Sequence, residues 1–314
     1  MPARNEASYL PAVLESLRAQ TFDHARLSLI AVDGESEDGS AEIVRTWLLS
    51  ADIDGAVITN PKRTIPSSLN LAIRHAQHDD YIVRLDSHTI YAPDYIATIM
   101  QAYDELAPVV GCVGGPQIPD DTRTFGHALV ASLMLNPMGL GGAKFRTLQK
   151  PSRVEHVYLG AWRPGVLQAV GGFDERWRAN EDSELSLRVE SAGFQIYWVP
   201  LRARYRIKRN ARGTVTQWSR YGYWRAQTLG HHPQAWRVRH VIPPLLLLGG
   251  LGLAISPLRL ALVPLFALYA GGVLANRPRD ESLQVSLAAP FFFCACQLAY
   301  AGGLITGLAS YALA

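Results

Sequence analysis

Over the first 240 residues, apolar positions fall into short runs separated by longer stretches of helical period. "LSLIAV" (27–32), "GAVIT" (55–59), "YIVRL" (81–85) and "VVGCVGG" (109–115) are strand-length runs bounded by polar or turn-forming residues. Between them, Leu10, Val13, Leu14 and Leu17 share one helical face, as do Leu69, Ala72, Ile73 and Ala76, and again Ile96, Ile99, Met100 and Tyr103. Strand, helix, strand repeated three times predicts an α/β domain whose parallel sheet is joined by right-handed crossovers. Ligands of such sheets bind beyond the carboxyl ends of the strands. The first helix starts within a few residues of Met1, so no strand is apparent ahead of it. Sheets of this kind normally begin with one, and about one strand, ~6 residues, is expected upstream of Met1.

Beyond residue 240 the periodicity disappears because nearly every position is apolar. Three charge-poor segments, near 241–256, 257–275 and 283–308, approach the roughly 20 residues needed to cross a bilayer. The chain is therefore predicted to divide into an α/β domain (1–230), a basic linker (231–240) and a transmembrane region of about three helices (241–314). Arg237 and Arg239 precede the first segment, and Arg277 and Arg279 sit between the second and third. By the positive-inside rule these loops and the large domain face the cytoplasm, making a multi-pass protein of the bacterial inner membrane.

Three cysteines, two of them in the apolar tail, exclude a disulfide framework and a thiolate zinc site. The net charge is only +3, but "RARYRIKRNAR" gathers Arg202, Arg204, Arg206, Lys208, Arg209 and Arg212. Because the apolar tail follows, this cluster reads as a solvated or lipid-headgroup face and not as a nucleic-acid site.

The sheet rule sorts the acidic residues. Asp52-Ile-Asp54 is a literal Asp-x-Asp, yet it precedes its strand, as do Asp79 and Asp80, and belongs on the wrong side. Asp33 follows "LSLIAV", and Asp86 with His88 follows "YIVRL", so these stand on the ligand side. In "VDGESEDGS" Asp38 suits the cap of the next helix. In "NEDSELSLRV" Glu181 and Asp182 open a helix with Leu185, Val189 and Ala192 on one face; alone, that pattern is only favourable charge at a helix N-terminus.

Taken in order and spacing, "PARNEA", "VDGESEDGS", "RLDSHT", "GGFDE" and "NED" resemble the family 2 glycosyltransferases of GT-A fold. The likeness is nearest to bacterial exopolysaccharide enzymes of the succinoglycan type and covers residues 1 to about 230. It implies that Asp33 contacts the nucleotide of a sugar donor, that Asp86 touches the ribose and diphosphate, and that His88 replaces the second acid of the Asp-x-Asp as a divalent-cation ligand beside Asp86. It further implies that Asp182 is the catalytic base, with Glu181 on the acceptor side. An imidazole suits Mn²⁺ better than Mg²⁺, so Mn²⁺ is expected to be preferred, unless His88 is only a hydrogen-bonding neighbour. Gly34 and Glu35 stand where many relatives have Asp and Gly, so the base pocket is expected to differ in shape.

Two further readings concern the acceptor. "QWSRY" (217–221) resembles the Gln-x-x-Arg-Trp motif of processive polysaccharide synthases, which would place Arg220 against the diphosphate and Tyr221 against the acceptor glycan; the same residues also describe an interfacial amphipathic helix. In the Gly-rich stretch 123–162, Gly160, Ala161 and Trp162 are expected to flank the acceptor sugar, Trp162 by stacking or else as a buried structural residue. The resemblance thus implies an inverting, membrane-anchored transferase moving a hexose from a UDP-hexose, UDP-glucose foremost, to a lipid-linked oligosaccharide in exopolysaccharide assembly. A processive synthase and a nucleotidyltransferase are the alternatives; the latter calls for an early Gly-rich, Lys-containing phosphate loop, which "PARNEA" is not.

Overall fold

In the computed structural model, residues 1–77, 80–120, 124–139, 148 and 150–313 are described, Arg239 by its backbone only. Asp79, predicted to lie on the far side of the sheet, and part of the Gly-rich stretch (123, 140–147 and 149) lie outside the described residues. The strands are β1 (Pro2–Ala3), β2 (Ser28–Asp33), β3 (Asp54–Thr59), β4 (Ile82–Val83), β5 (Thr89–Tyr91), β6 (Val110–Gly115), β7 (Ile118–Pro119), β8 (Ser152–Arg153), β9 (Tyr158–Trp162), β10 (Gln195–Trp198) and β11 (Ala203–Tyr205). The helices are α1 (Leu10–Arg18), α2 (Ser40–Ser50), α3 (Ile65–Ile73), α4 (Tyr95–Glu105), α5 (Phe125–Leu135), α6 (Val166–Ala169), α7 (Glu181–Ser191), α8 (Ala211–His231), α9 (Val238–Ala254), α10 (Leu262–Ala275) and α11 (Leu283–Leu313).

The chain forms two compact units, residues 1–118 with 144–206, and residues 119–143 with 207–314. Residues 119–143 and 207–230, assigned above to the α/β domain, thus group with the apolar tail. In the first unit β1, β2 and β3 pair in parallel, with Ala3 opposite Asp33 and Asp33 opposite Thr59 at one edge and Ser28 opposite Asp54 at the other. Asp33 therefore stands at the carboxyl edge and Asp54 at the amino edge, as the sheet rule requires. A strand does precede α1, contrary to the reading of the sequence, but it is only two residues long, too short to leave a periodic signal. Met1 continues the pairing through its amino group, which donates to Ile30 O at 2.7 Å.

A second sheet, in the order β4-β9-β6-β10-β8, is mixed: β6 and β10 are parallel, whereas β9 runs antiparallel to both β4 and β6. The expected parallel pairing is kept between β6 and β10, while β9 enters antiparallel between β4 and β6. Two of the predicted helical faces hold: Leu10, Val13 and Leu14 are fully buried, and Ile96, Ile99 and Tyr103 join them in one core with the apolar face of β2. A second core forms around Cys112, Trp162, Phe173, Leu185 and Trp198.

The second unit is helical. α8 lies along α11 at glycine contacts: a Cβ on Gly307 would stand 2.5 Å from Tyr223 O and 2.7 Å from Ala226 Cβ, and one on Gly303 would overlap the Ser219 carbonyl. Gln227 Nε2 donates to Gly307 O at 3.0 Å and Asn136 Nδ2 to Val273 O at 2.9 Å, pairing polar groups within an otherwise apolar bundle. Three membrane spans were expected; among the described residues one helix, α11 with 31 residues, is long and apolar enough to cross by length and composition. α9 and α10 have 17 and 14 residues, which at about 1.5 Å each gives about 26 and 21 Å against a hydrocarbon core of about 30 Å. The structure thus does not support the multi-pass expectation. The shortfall follows from Pro257 and the turn around it, which split the apolar run.

Candidate active site

The loop after β4 carries Arg84, on which three carboxylates converge. Arg84, only 8% exposed, ion-pairs with Asp182, lies 3.5 Å from Glu181 Oε1 through Nη2, and holds Asp86 Oδ1 3.7 Å from its Nε. Its backbone N–H donates to Gly160 O at 3.1 Å, prolonging the β4–β9 ladder and fixing where the side chain departs. Burial opposes a charge on Arg84, but Asp182, Asp86 and Glu181 outweigh it and raise the guanidinium pKa above its ordinary value. Burial and the neighbouring Asp182 push the Glu181 carboxyl up to about 7, with Arg84 pulling the other way. The sequence reading passed over Arg84. Its one signal was a strand position next to the last of "YIVRL" filled by a charge where an apolar residue was due.

Asp86 is held from several sides. Its Oδ2 accepts from Tyr158 Oη at 3.1 Å, and its N–H donates to Tyr91 Oη at 2.7 Å. Burial pushes the Tyr158 and Tyr91 phenols well above their usual range, so both remain protonated. His88 follows two residues on, its carbonyl accepting from Arg206 N at 3.0 Å beside the antiparallel β5–β11 pair. The imidazole stands edge-on to Tyr205 (centroids 5.3 Å) and Tyr9 (6.3 Å), and its Nδ1 lies 3.6 Å from Glu6 Oε1.

Asp33 is connected to His88 only through the "PARNE" turn. Its Oδ2 accepts from Ser36 N at 3.0 Å, while Oδ1 is buried with no hydrogen-bond partner. Ser36 Oγ accepts from Asn5 N, Ser40 Oγ from Glu6 N, and Asp38 Oδ2 from Ala7 N, at 2.9, 2.7 and 2.9 Å. Asp38 also accepts from Ser40 N and Oγ, and these bonds, the Ser40 hydroxyl foremost, hold its carboxyl below the usual range. The N-cap of α2 is Gly39 and not Asp38, whose carboxylate instead ties the turn after β2 to the head of α1. At the rim, Glu35 and Arg63, both in left-handed backbone at φ 55°, pair with each other, Arg63 Nε lying 2.6 Å from Glu35 Oε2. Glu35 is the residue found above to depart from the usual pattern.

The segment from "GGFDE" into α7 is fastened by Arg188, which pairs with the buried Glu184 at 2.6 Å and donates to Val170 O and Gly172 O at 2.6 and 2.7 Å. Gly172, at φ 69°, leaves room for Asn70, whose amide both receives from Phe173 N and donates to Phe173 O at 2.8 Å. "GGFDE" is therefore scaffolding that sets the start of α7, where Glu181 and Asp182 meet Arg84.

Among the predicted residues, the structure brings Asp86, Glu181 and Asp182 together on one arginine and links Asp33 to His88 through residues 5–7. Trp162 is not available for stacking. It is 6% exposed, set edge-on to Phe173 at 6.0 Å, and its ring covers Gly160, where a Cβ would stand 2.7 Å from it. Both residues serve the core; the inward face of β9 claims them. Arg220 and Tyr221 lie on α8 in the second unit, where Tyr221 Oη accepts from Gln217 Nε2. Among the described residues no three His, Cys, Asp or Glu side chains form a ready-made metal cage.

Comparison with known proteins identifies the family and the fold. Residues 1–169 match the description of glycosyl transferase family 2. The succinoglycan biosynthesis protein ExoA of Rhizobium meliloti (strain 1021) is 30% identical over 282 residues, 88% of this chain and 81% of that protein. The fold is similar to that of the mannosyltransferase PcManGT from Pyrobaculum calidifontis in complex with GDP-Man and Mn²⁺, with TM-score 0.61 at 19% identity over 98% of this chain and 85% of that one. It is also similar to S. aureus TarS 1-349 in complex with UDP, with TM-score 0.52 at 12% identity over 99% and 90% of the two chains. The chain belongs to glycosyl transferase family 2 and is a nucleotide-sugar-dependent glycosyltransferase of GT-A fold.

Proposed function

We infer that this enzyme transfers a hexose from a UDP-hexose, with UDP-glucose the first candidate, to a lipid-linked saccharide during exopolysaccharide assembly, inverting the anomeric centre. The observation that carries the reading is the gathering of Asp86, Glu181 and Asp182 on Arg84 at the carboxyl edge. A single displacement needs one carboxylate to take a proton and a charged platform for the leaving diphosphate. Asp182 is the more open of the α7 pair, its side chain 34% exposed against 11% for Glu181, and is assigned as the base that takes the acceptor hydroxyl proton. The hydroxyl oxygen then bonds to the anomeric carbon as the bond to the diphosphate oxygen breaks. Glu181, with its raised pKa, stays largely protonated below about pH 7 and is assigned to acceptor positioning.

Asp33 suits the base. With Oδ2 occupied by Ser36, one buried acceptor is left for one N–H, which fits the single N–H of uracil better than the adjacent pair on guanine. Asp86 and His88, separated by one residue, would hold a divalent cation through a carboxylate oxygen and an imidazole nitrogen. When bound, such a cation neutralises charge developing on the leaving group. Relatives of this fold bind Mn²⁺ with nucleotide sugars, and the imidazole favours Mn²⁺ over Mg²⁺ here.

The second unit supports membrane association. Leu246, Leu260 and Leu268 are 69, 77 and 77% exposed, and such apolar surface is stable against lipid, not water. An acceptor carried on lipid would then be presented at the bilayer surface. Incubating membranes with labelled UDP- and GDP-sugars, and recovering the lipid-extractable product, tests the assignment. Label only from UDP-hexoses is expected, and label only from GDP-sugars would reverse the base assignment.

A further inference from the structure

The Glu of "PARNE" has no part in the chemistry so far, yet it is a carboxylate buried at the head of α1 with its side chain only 7% exposed. Burying a carboxylate is costly unless it is paired and hydrogen-bonded. Its backbone is fixed on both sides: the N–H donates to Ser40 Oγ at 2.7 Å, and the carbonyl accepts from Tyr9 N and Leu10 N at 2.8 and 3.0 Å. Oε1 faces Nδ1 of His88 at 3.6 Å, and that nitrogen is buried with no hydrogen-bond partner. The ring has little freedom to turn elsewhere, being set between Tyr205 and Tyr9 and held through its carbonyl by Arg206 N. Closing the gap to an ordinary N–H···O distance takes a shift of under about 1 Å.

We propose that Glu6 is a positioning residue for His88: its carboxylate accepts the Nδ1 proton, fixing the tautomer in which Nε2 carries the lone pair offered to the divalent cation. This rests on the reading of His88 as a cation ligand. A ligating histidine commonly gives its other ring proton to a carboxylate, which sets both tautomer and ring orientation. Asp-x-His thereby works as a three-residue device, Asp86 and His88 facing the cation and Glu6 behind the imidazole. A carboxylate in place of His88 has no tautomer to fix, which gives the proposal its signature.

The first measurement needs no variant. In the metal-free full chain, labelled with ¹⁵N-histidine in detergent, His88 is expected as the Nδ1–H tautomer; finding Nε2–H overturns the proposal. Glu6→Ala should release the ring to a mixture with Nε2–H, whereas Glu6→Gln, whose amide oxygen still accepts, should keep Nδ1–H. Mn²⁺ affinity, followed by electron paramagnetic resonance with UDP present, should fall about tenfold in Glu6→Ala and under about threefold in Glu6→Gln. In a His88→Asp background, Glu6→Ala should change it less than about twofold. An equal loss in both backgrounds, or none in either, overturns the proposal. His88→Ala separates the two claims: if it binds Mn²⁺ like the wild type, the ligand reading itself falls, whereas weakened binding there with no effect of Glu6→Ala removes only the role of Glu6.

Discussion

Replacing Arg84 with methionine is the sharpest perturbation the structure offers. The side chain keeps its length and apolar stem but loses the charge that faces Asp86, Glu181 and Asp182. At an effective dielectric near 20, a unit pair at the 3.5 Å separation of Arg84 and Glu181 is worth about 5 kcal/mol before desolvation is counted. Desolvation consumes most of that, and removing one partner of a buried pair typically costs about 3–5 kcal/mol. The cost should depend on pH in a definite sense. Glu181 already has its pKa raised to about 7 in the fold, so between its ordinary value of 4.5 and about 7 the folded state holds a proton that the unfolded chain has lost. Stability from this group therefore falls as pH rises through that window. Arg84 limits the fall, and without it the window extends upward. Thermal unfolding of the full chain in detergent at pH 5 and pH 8 reads the difference: a small deficit at pH 5 and one of about 6–15 °C at pH 8. An equal deficit at both pH values would assign the effect to lost packing, and no deficit at either would refute the picture of a buried, arginine-held carboxylate group.

Other outcomes follow from the same geometry. Asp182→Asn should lower the transfer rate by at least about a hundredfold while leaving UDP binding within about threefold, as titration calorimetry and labelled-sugar transfer can show; unchanged transfer would remove Asp182 as the base. His88→Asp should move the metal preference toward Mg²⁺, measured as the ratio of rates in the two ions, and an unchanged ratio would mean that the imidazole does not set it. Gly303→Val should separate α8 from α11, because its side chain would overlap the Ser219 carbonyl; a lower unfolding temperature is expected, and wild-type stability would show that the two helices do not rely on this contact. Glu181→Gln should stabilise the protein at pH 8 more than at pH 5, by the sign argument above.

Much of the ligand edge was legible because period and strand direction suffice for it. Asp33 and Asp86 were chosen over Asp54 by asking which end of a strand each occupies, and the β2–β3 register places Asp33 and Asp54 at opposite edges. Arg84 was missed because a charged residue in a strand looks like a solvent-facing alternation; only the arrival of α7, about a hundred residues later, makes it a buried hub. Trp162 stayed open between sugar platform and core residue for the converse reason: an aromatic in a Gly-rich stretch suits either, and nothing local reveals that Gly160 clears space for its ring within the core. The tail shows the limit of composition. Hydrophobicity identified 241–314 as apolar, but helix length depends on where Pro257 and its turn interrupt it, and that left one helix of spanning length among the described residues.

A structure of the full chain bound to UDP and Mn²⁺ bears most directly on the central claim. The account predicts the cation between Asp86, His88 and the diphosphate, the base N–H on Asp33 Oδ1, and Asp182 facing the place where the sugar leaves. Diphosphate bound away from that edge, with neither Asp86 nor His88 in its coordination shell, would contradict it.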